Sequence, residues 1–305
     1  MSQHSRARRP SMKMIRHGRA MIAVQEGGFY DRHRMRASLE QVKTLSGLSD
    51  LRFFERFRKQ TVEIEGLGAS VTPNYFYDLS AYQAIFTADH AALRELVEGP
   101  LEPLWLLPGR GIIVFTALQH RFCDIDPYLE FSVAIPVNRP GAPNLGPVAA
   151  LAGLLRRENR VYIWKLPVTT ELACVRGVIR ANFPKYVCPL EFELTGENPH
   201  ATVVSDGTPD LVMRWKPLRT RPAPAAAVLR THALTIKDGR VLDNLGLFHP
   251  VRRASSMKAD AATLELNRGP LSTALRALRL GRMLRFEAFT SAQLVIHEPV
   301  VLPGV

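Results

Sequence analysis

Ten residues, 128–137, restrict most what this chain can fold into, because their character alternates with a period of two. Leu129, Phe131, Val133 and Ile135 fall on one face of an extended strand, and Tyr128, Glu130, Ser132 and Ala134 on the other. The first face belongs to a core. The second sets one carboxylate among a phenol and small groups, which suits either a solvated face or the lining of a polar cavity. Similar extended runs recur at 62–70, 111–122, 160–166, 186–194, 201–204, 210–215, 228–237 and 284–297. Pro- and Gly-rich loops separate some of them, as at 138–147, and a Pro-Ala stretch interrupts them at 221–227. Short strands punctuated in this way predict a mainly β (α+β) chain, an antiparallel barrel or sandwich, and not a doubly wound sheet.

A few helices flank these strands. Residues 39–58 interleave charged and apolar positions in a helix-like way. Asp89 caps a helix whose Leu93, Leu96 and Val97 form an i, i+3, i+4 stripe, stopped by Gly99-Pro100. Thr170 caps a helix over 171–180 with Leu172, Val175 and Ile179 on one side, and another helix is expected near 271–280. Pro184 ends the 171–180 helix, since the residue before a proline disfavours helical geometry.

That ending places Lys185 directly after a proline, with Phe183, Tyr186, Val187 and Leu190 around it. A lysine amine in water, with a pKa of about 10.4, is protonated at neutral pH and is no nucleophile. Apolar walls penalise the charged form, and a free amine can condense with a ketone or aldehyde to give an imine. Taken alone, Lys185 can equally be one surface lysine among many.

The two segments together resemble the acetoacetate decarboxylase superfamily. Tyr128-x-Glu130 followed by Ile135-Pro136-Val137 is similar to its Tyr-x-Glu strand, and Phe183-Pro184-Lys185 to its Gly-Phe-Pro-Lys turn, with Gly177 in the preceding helix. Leu166-Pro167-Val168-Thr169-Thr170 resembles the segment entering that helix. Asp89 to Arg94 and Glu98 to Pro103 resemble an early helix and its Pro-Leu-Glu-Pro exit. The matches keep the family's order from about Tyr82 to about Leu194. The resemblance implies a cone-like β-barrel around one site, with Lys185 forming the imine, Glu130 shuttling protons, and Tyr128, Tyr186 and Phe183 contacting substrate. Three departures accompany it. Tyr186 stands where true acetoacetate decarboxylases carry a second lysine, Thr87 where they carry an arginine, and Asn182 where they carry a glycine. The arginine is the obvious partner for a substrate carboxylate; Arg121, Arg176 and Arg180 are candidates to replace it.

Charge and composition bound the rest. The net charge of +12 is concentrated early, since the first 60 residues hold 14 Lys and Arg against 5 Asp and Glu. Arg6, Arg8, Arg9, Lys13, Arg16 and Arg19 can bind phosphate, but residues 1–36 are expected to be a disordered basic arm, and nucleic acid is not expected as a partner. Residues 37–70 are expected to form a helical extension, whose Leu39, Val42, Leu45, Phe53, Phe54 and Phe57 can dock on the barrel or on another subunit; 71–305 form the barrel domain. A chain starting near Arg36 is therefore expected to fold and form the imine. No apolar run approaches the roughly 20 residues of a membrane helix. Three cysteines without metal-type spacing suit a reducing cytoplasm. Neither a metal nor a cofactor is expected.

The function expected is that of a Schiff-base lyase of decarboxylase, aldolase or dehydratase type, acting on a small carbonyl compound as a homo-oligomer. The alternative is a barrel that binds small molecules without catalysis. With Thr87 and Tyr186 in place, little decarboxylation of acetoacetate itself is expected.

Overall fold

The computed structural model describes residues 11–303. A hairpin of β1 (Met12–His17) and β2 (Ala20–Gln25) leads through helices α1 (Phe29–His33) and α2 (Leu39–Ser46) to a second hairpin, β3 (Gln60–Ile64) and β4 (Gly68–Thr72). Strand β5 (Asn74–Asp89) follows, then α3 (His90–Leu96), β6 (Trp105–Leu107), β7 (Arg110–Cys123) and β8 (Tyr128–Pro136). Next come α4 (Pro147–Arg156), β9 (Glu158–Val168), α5 (Glu171–Ala181) and the short β10 (Lys185–Val187). Strands β11 (Leu190–Glu193), β12 (His200–Ser205) and β13 (Thr208–Trp215) precede β14 (Arg221–Pro222), β15 (Leu229–Lys237) and β16 (Arg240–Ser256). The last elements are β17 (Ala262–Leu266), α6 (Pro270–Ala277), β18 (Met283–Ile296) and β19 (Val300–Val301).

Seven strands close into a barrel in the order β9, β15, β16, β18, β5, β7, β8 and back to β9. Every neighbouring pair is antiparallel except β9 with β15. The mainly β barrel with flanking helices is therefore the architecture, with that one parallel pair added.

Closure gives the wall an inside and an outside. A four-stranded sheet, β11-β12-β13-β17, and helices α3 and α6 pack on one face, where Phe86, Phe115, Phe131 and Phe286 join one cluster with Leu211, Met213 and Trp215. Further along, α1, α2 and Phe53, Phe54 and Phe57 cover Tyr75, Tyr77 and Val295. A barrel of this strand number has room inside only for side chains or one small ligand, so these layers lie outside. By alternation, Leu118, His120, Tyr128 and Glu130 then look inward.

Four expectations are corrected. The arm 1–36 is not a disordered appendage over its described part: Ile15, Ile22 and Val24 of the first hairpin, with Tyr30 and Met35, are buried in one cluster with Tyr128, Leu172 and Ala173. Alternation explains this, since Ile15 and His17 point in while Met14 and Arg16 point out; the arginines hide the buried face in a composition count. Arg6, Arg8 and Arg9 lie outside the described residues. The expected boundaries at 36 and 70 accordingly mark no break in packing. The helix expected over 39–58 stops at Gly47, whose φ of +69° caps α2 in the left-handed region. The extended run at 62–70 is a hairpin turning at Gly66, φ +84°. Finally, the run at 186–194 is two strands, β10 in the barrel sheet and β11 in the other, separated at Pro189. Among the described residues, no helix is long and apolar enough to cross a membrane.

Candidate active site

Glu130 projects from β8 into the barrel, between Leu118 of β7 and Val168 of β9 in register. Lys185 opens β10, which runs parallel to β9 and pairs Lys185 with Leu166. Two segments 55 residues apart thus converge, and Lys185 Nζ donates to Glu130 Oε2 at 2.7 Å. Both side chains are largely out of solvent, 8 % and 12 % exposed.

The turn that delivers Lys185 is built by its sequence. Thr170 caps α5 by accepting from Ala173 N at 3.3 Å, and Asn182 ends it in the left-handed conformation, φ 49°. Asparagine is among the few residues besides glycine that adopt this geometry readily, which accounts for its standing where the family pattern has glycine. The Asn182 amide also donates to Ile236 O, and Thr235 Oγ1 donates to Ala181 O at 2.9 Å, so the helix end is fixed to β15. Gly177 supplies the clearance. A Cβ there would lie 2.5 Å from Lys185 Cδ and 2.7 Å from Cε.

The N-terminal hairpins hold the opposite side of α5. Arg176 donates to Ser70 Oγ at 3.1 Å and faces His17 Nε2 at 3.3 Å. Arg180 donates to Thr72 Oγ1 and to Glu298, each at 2.8 Å. Ala23 N donates to Glu171 Oε2 at 3.0 Å. Arg121, the third arginine considered as a carboxylate anchor, is paired with Asp78, its Nε 2.6 Å from Oδ2. All three are engaged away from the Lys185–Glu130 pair.

Burial alone would raise the Glu130 carboxyl, but the Lys185 ammonium facing it more than offsets this and holds it below the usual carboxylate value. Glu130 is therefore a carboxylate, ion-paired with the Lys185 side chain. Tyr128 is buried beside them, its ring centroid 5.5 Å from Lys185 Nζ. Burial and then the Glu130 charge push its phenol well above the ordinary value, so it stays protonated.

The two remaining expected contacts are Phe183 and Tyr186. Phe183 packs with Ala134, Val161, Ile163 and Leu166 on the inner wall next to the turn. Tyr186 does not join the pair: successive residues of β10 face opposite ways, so Tyr186 turns from Lys185 and is 37 % exposed. Thr87 lies near the far end of β5, six residues from Ala81, which is in register with Leu118 and so with Glu130. Its hydroxyl accepts from Arg110 Nη2 at 3.1 Å.

His120 was missed by the sequence reading. It pairs with Tyr128 in register and stacks on that ring at 4.4 Å, with Phe76 on it at 4.7 Å. It is 2 % exposed, and neither ring nitrogen has a hydrogen-bond partner. Burial brings its pKa down to about 4, with Lys185 and Arg121 adding to the shift and Glu130 opposing it, so the ring is neutral at pH 7. The signal was present in the sequence, because Val114, Thr116, Leu118 and His120 alternate with Ile113, Phe115 and Ala117.

A closed seven-stranded barrel with an inward lysine–glutamate pair defines a class. The chain belongs to the acetoacetate decarboxylase family, whose sequence model matches residues 65–277. Three solved structures resemble it in fold. A structure of acetoacetate decarboxylase has 15% identity and a TM-score of 0.55, over 76% of this chain and 89% of that one. The acetoacetate decarboxylase of Legionella pneumophila subsp. pneumophila str. Philadelphia 1 has 11% identity and a TM-score of 0.55, over 76% and 87%. The enduracididine biosynthesis enzyme MppR, complexed with pyruvate, has 13% identity and a TM-score of 0.53, over 75% and 90%. A search of curated proteins finds no match.

Proposed function

We propose that this protein is a lyase that forms a Schiff base between Lys185 and a small keto acid. The observation that carries the reading is the 2.7 Å contact between Lys185 Nζ and Glu130 Oε2 inside the barrel. The family relation supports an enzyme of lyase type, and the keto-acid class is supported by MppR, a relative in fold whose structure holds pyruvate.

The chemistry begins when the Lys185 amine, in its unprotonated form, attacks the substrate carbonyl carbon, and Glu130 beside it carries the proton released from nitrogen on addition to the carbonyl oxygen. A C–N bond forms, the carbonyl oxygen takes up protons and departs as water, and a protonated imine remains. That imine accepts the electron pair released at the neighbouring carbon, giving an enamine. Decarboxylation, aldol cleavage or formation, and dehydration all proceed through that enamine, with Glu130 as the proton carrier. Tyr128, as a neutral phenol beside the carboxylate, orients it. Acetoacetate is a poor substrate on this reading, because Thr87 and the Arg110 guanidinium bound to it lie toward the far end of β5, away from the pair, and Tyr186 faces away from it.

Borohydride reduction in the presence of pyruvate, acetoacetate and longer keto acids, read by intact mass and peptide mapping, tests the proposal. A reduced adduct on Lys185, absent from Lys185→Ala and formed about 10²-fold or more slowly by Glu130→Gln, is expected. Keto acids that bind without any trapped adduct would instead identify a non-catalytic binding barrel.

A further inference from the structure

The inner wall carries a feature that the imine chemistry does not use. One strand repeat beyond Glu130, roughly 7 Å along the wall, the inward residues of four neighbouring strands are polar. Ser132 on β8 pairs with Thr116 on β7, Thr116 with Gln83 on β5, and Gln83 with Glu287 on β18. The rows on either side are largely apolar: Leu118, Ala81 and Phe289 follow Glu130 in one, and Ala134, Val114 and Ile85 precede Arg285 in the other.

The side chains of this belt are half-buried, so solvent reaches this stretch of the interior. Gln83 Nε2 donates to Thr116 Oγ1 at 3.2 Å, and Arg285 Nη2 donates to Glu287 Oε1 at 2.7 Å. The carboxylate is thereby neutralised within the wall. What the belt offers a ligand is hydroxyl and amide groups, donors and acceptors without net charge. Small barrels either fill their interiors with side chains or hold one small ligand, and a buried polar group left without a partner is costly.

We infer that the belt of Ser132, Thr116 and Gln83 is a substrate subsite for hydroxyl groups, and that the keto acid taken by Lys185 carries hydroxyls a few carbons beyond its carbonyl. An aliphatic tail would displace water from these groups and leave their remaining donors and acceptors unpaired, whereas a hydroxylated tail replaces the water's hydrogen bonds. Sites built to hydrogen-bond a substrate hydroxyl discriminate strongly against analogues that lack it. The inference rests on the imine reading for the position of the reacting carbonyl.

The test compares 2-oxopentanoate with 4,5-dihydroxy-2-oxopentanoate, which share one chain length. Borohydride trapping on the wild-type protein is expected to favour the dihydroxy compound by about tenfold or more. In Thr116→Val and Gln83→Leu that ratio should fall toward one. Calorimetric Kd values of the wild-type protein for the same pair read the preference without borohydride and independently of how the variants fold. Equal trapping and equal Kd for the two compounds, or variants that retain the full preference, overturn the inference. Absence of any adduct with a preserved difference in Kd would overturn the imine reading and leave the subsite standing.

Discussion

Acidification exposes what it takes to keep His120 where it is. Its pKa falls from 6.5 to about 4 because burial disfavours the charged ring, with Lys185 and Arg121 on the same side and Glu130 against. The unfolded chain therefore takes up a proton near pH 6.5, and the folded protein does not until near pH 4. Stability from this group is complete above the unfolded value and is lost as pH falls between the two. Linkage puts the loss at about 2 kcal/mol between pH 7 and pH 4.5. Glu130, held below its ordinary value, begins to lose its own contribution only at lower pH. Asp124 and Asp126 are raised by burial and act in the opposite sense, favouring the folded state as pH falls. His17, also lowered to about 4, adds to the loss. The informative quantity is thus a difference between proteins. His120→Phe keeps an aromatic ring between Phe76 and Tyr128 and removes the titration. Urea unfolding of both proteins at pH 7, 5.5 and 4.5 should show the variant losing about 2 kcal/mol less than the wild type over that range. Parallel losses in the two proteins would refute the reasoning.

Three further outcomes are expected. Lys59 donates to Met35 O at 2.8 Å and pairs with buried Asp124, which also accepts from Tyr75 N and Tyr77 Oη; Lys59→Met leaves that charge uncompensated and should cost about 3–5 kcal/mol in denaturant unfolding, a loss under 1 kcal/mol contradicting the assignment. Gly177→Ala places a methyl against the Lys185 stem, so borohydride trapping should fall by about tenfold to 10²-fold while the far-ultraviolet circular dichroism stays unchanged, small displacements of a reacting group being costly; undiminished trapping would show that the amine does not depend on this packing. A chain beginning at Arg36 loses Ile15, Ile22, Val24 and Tyr30 from the cluster that holds Leu172 and Ala173, so it should unfold at lower denaturant than the full chain and trap pyruvate poorly, reversing the expectation from composition; full stability and trapping would restore that expectation.

Periodicity made the local elements legible. Strands β7, β8, β9, β15 and β18 and helices α3, α5 and α6 lie within a few residues of where alternation and capping put them, because each is bounded by a residue with a specific local effect, such as Asp89, Thr170 or Pro184. Strand β16 went unseen. Its 17 residues include Asp243, Asn244, Gly246 and Pro250, all poor strand formers, and tertiary pairing with β15 and β18 overrides them, with the ladder shifting register around Pro250 and Arg252. The Lys185–Glu130 contact was reached through the family resemblance, since spacing alone does not join residues 55 apart. His120 was reachable by geometry. A hairpin turning around residues 124–127 pairs Leu118 with Glu130 and therefore His120 with Tyr128. The orientation of Tyr186 followed from the strand period once β10 was known to begin at Lys185.

The family match begins at residue 65, yet His17 faces Arg176, Ala23 bonds to Glu171, and Ser70 accepts from the same arginine. Through His17 and Ala23, the helix that presents Lys185 is thus clamped in part from outside the matched region, while Ser70 holds it from within. The unit of descent and the unit of folding have different edges in this chain. A chimera spliced at the homology boundary would inherit the lysine and lose part of its mount, whereas one spliced ahead of Met12 would keep both. Substitutions along the outer hairpin therefore offer a means of tuning the amine's position that leaves every residue of the barrel wall in place.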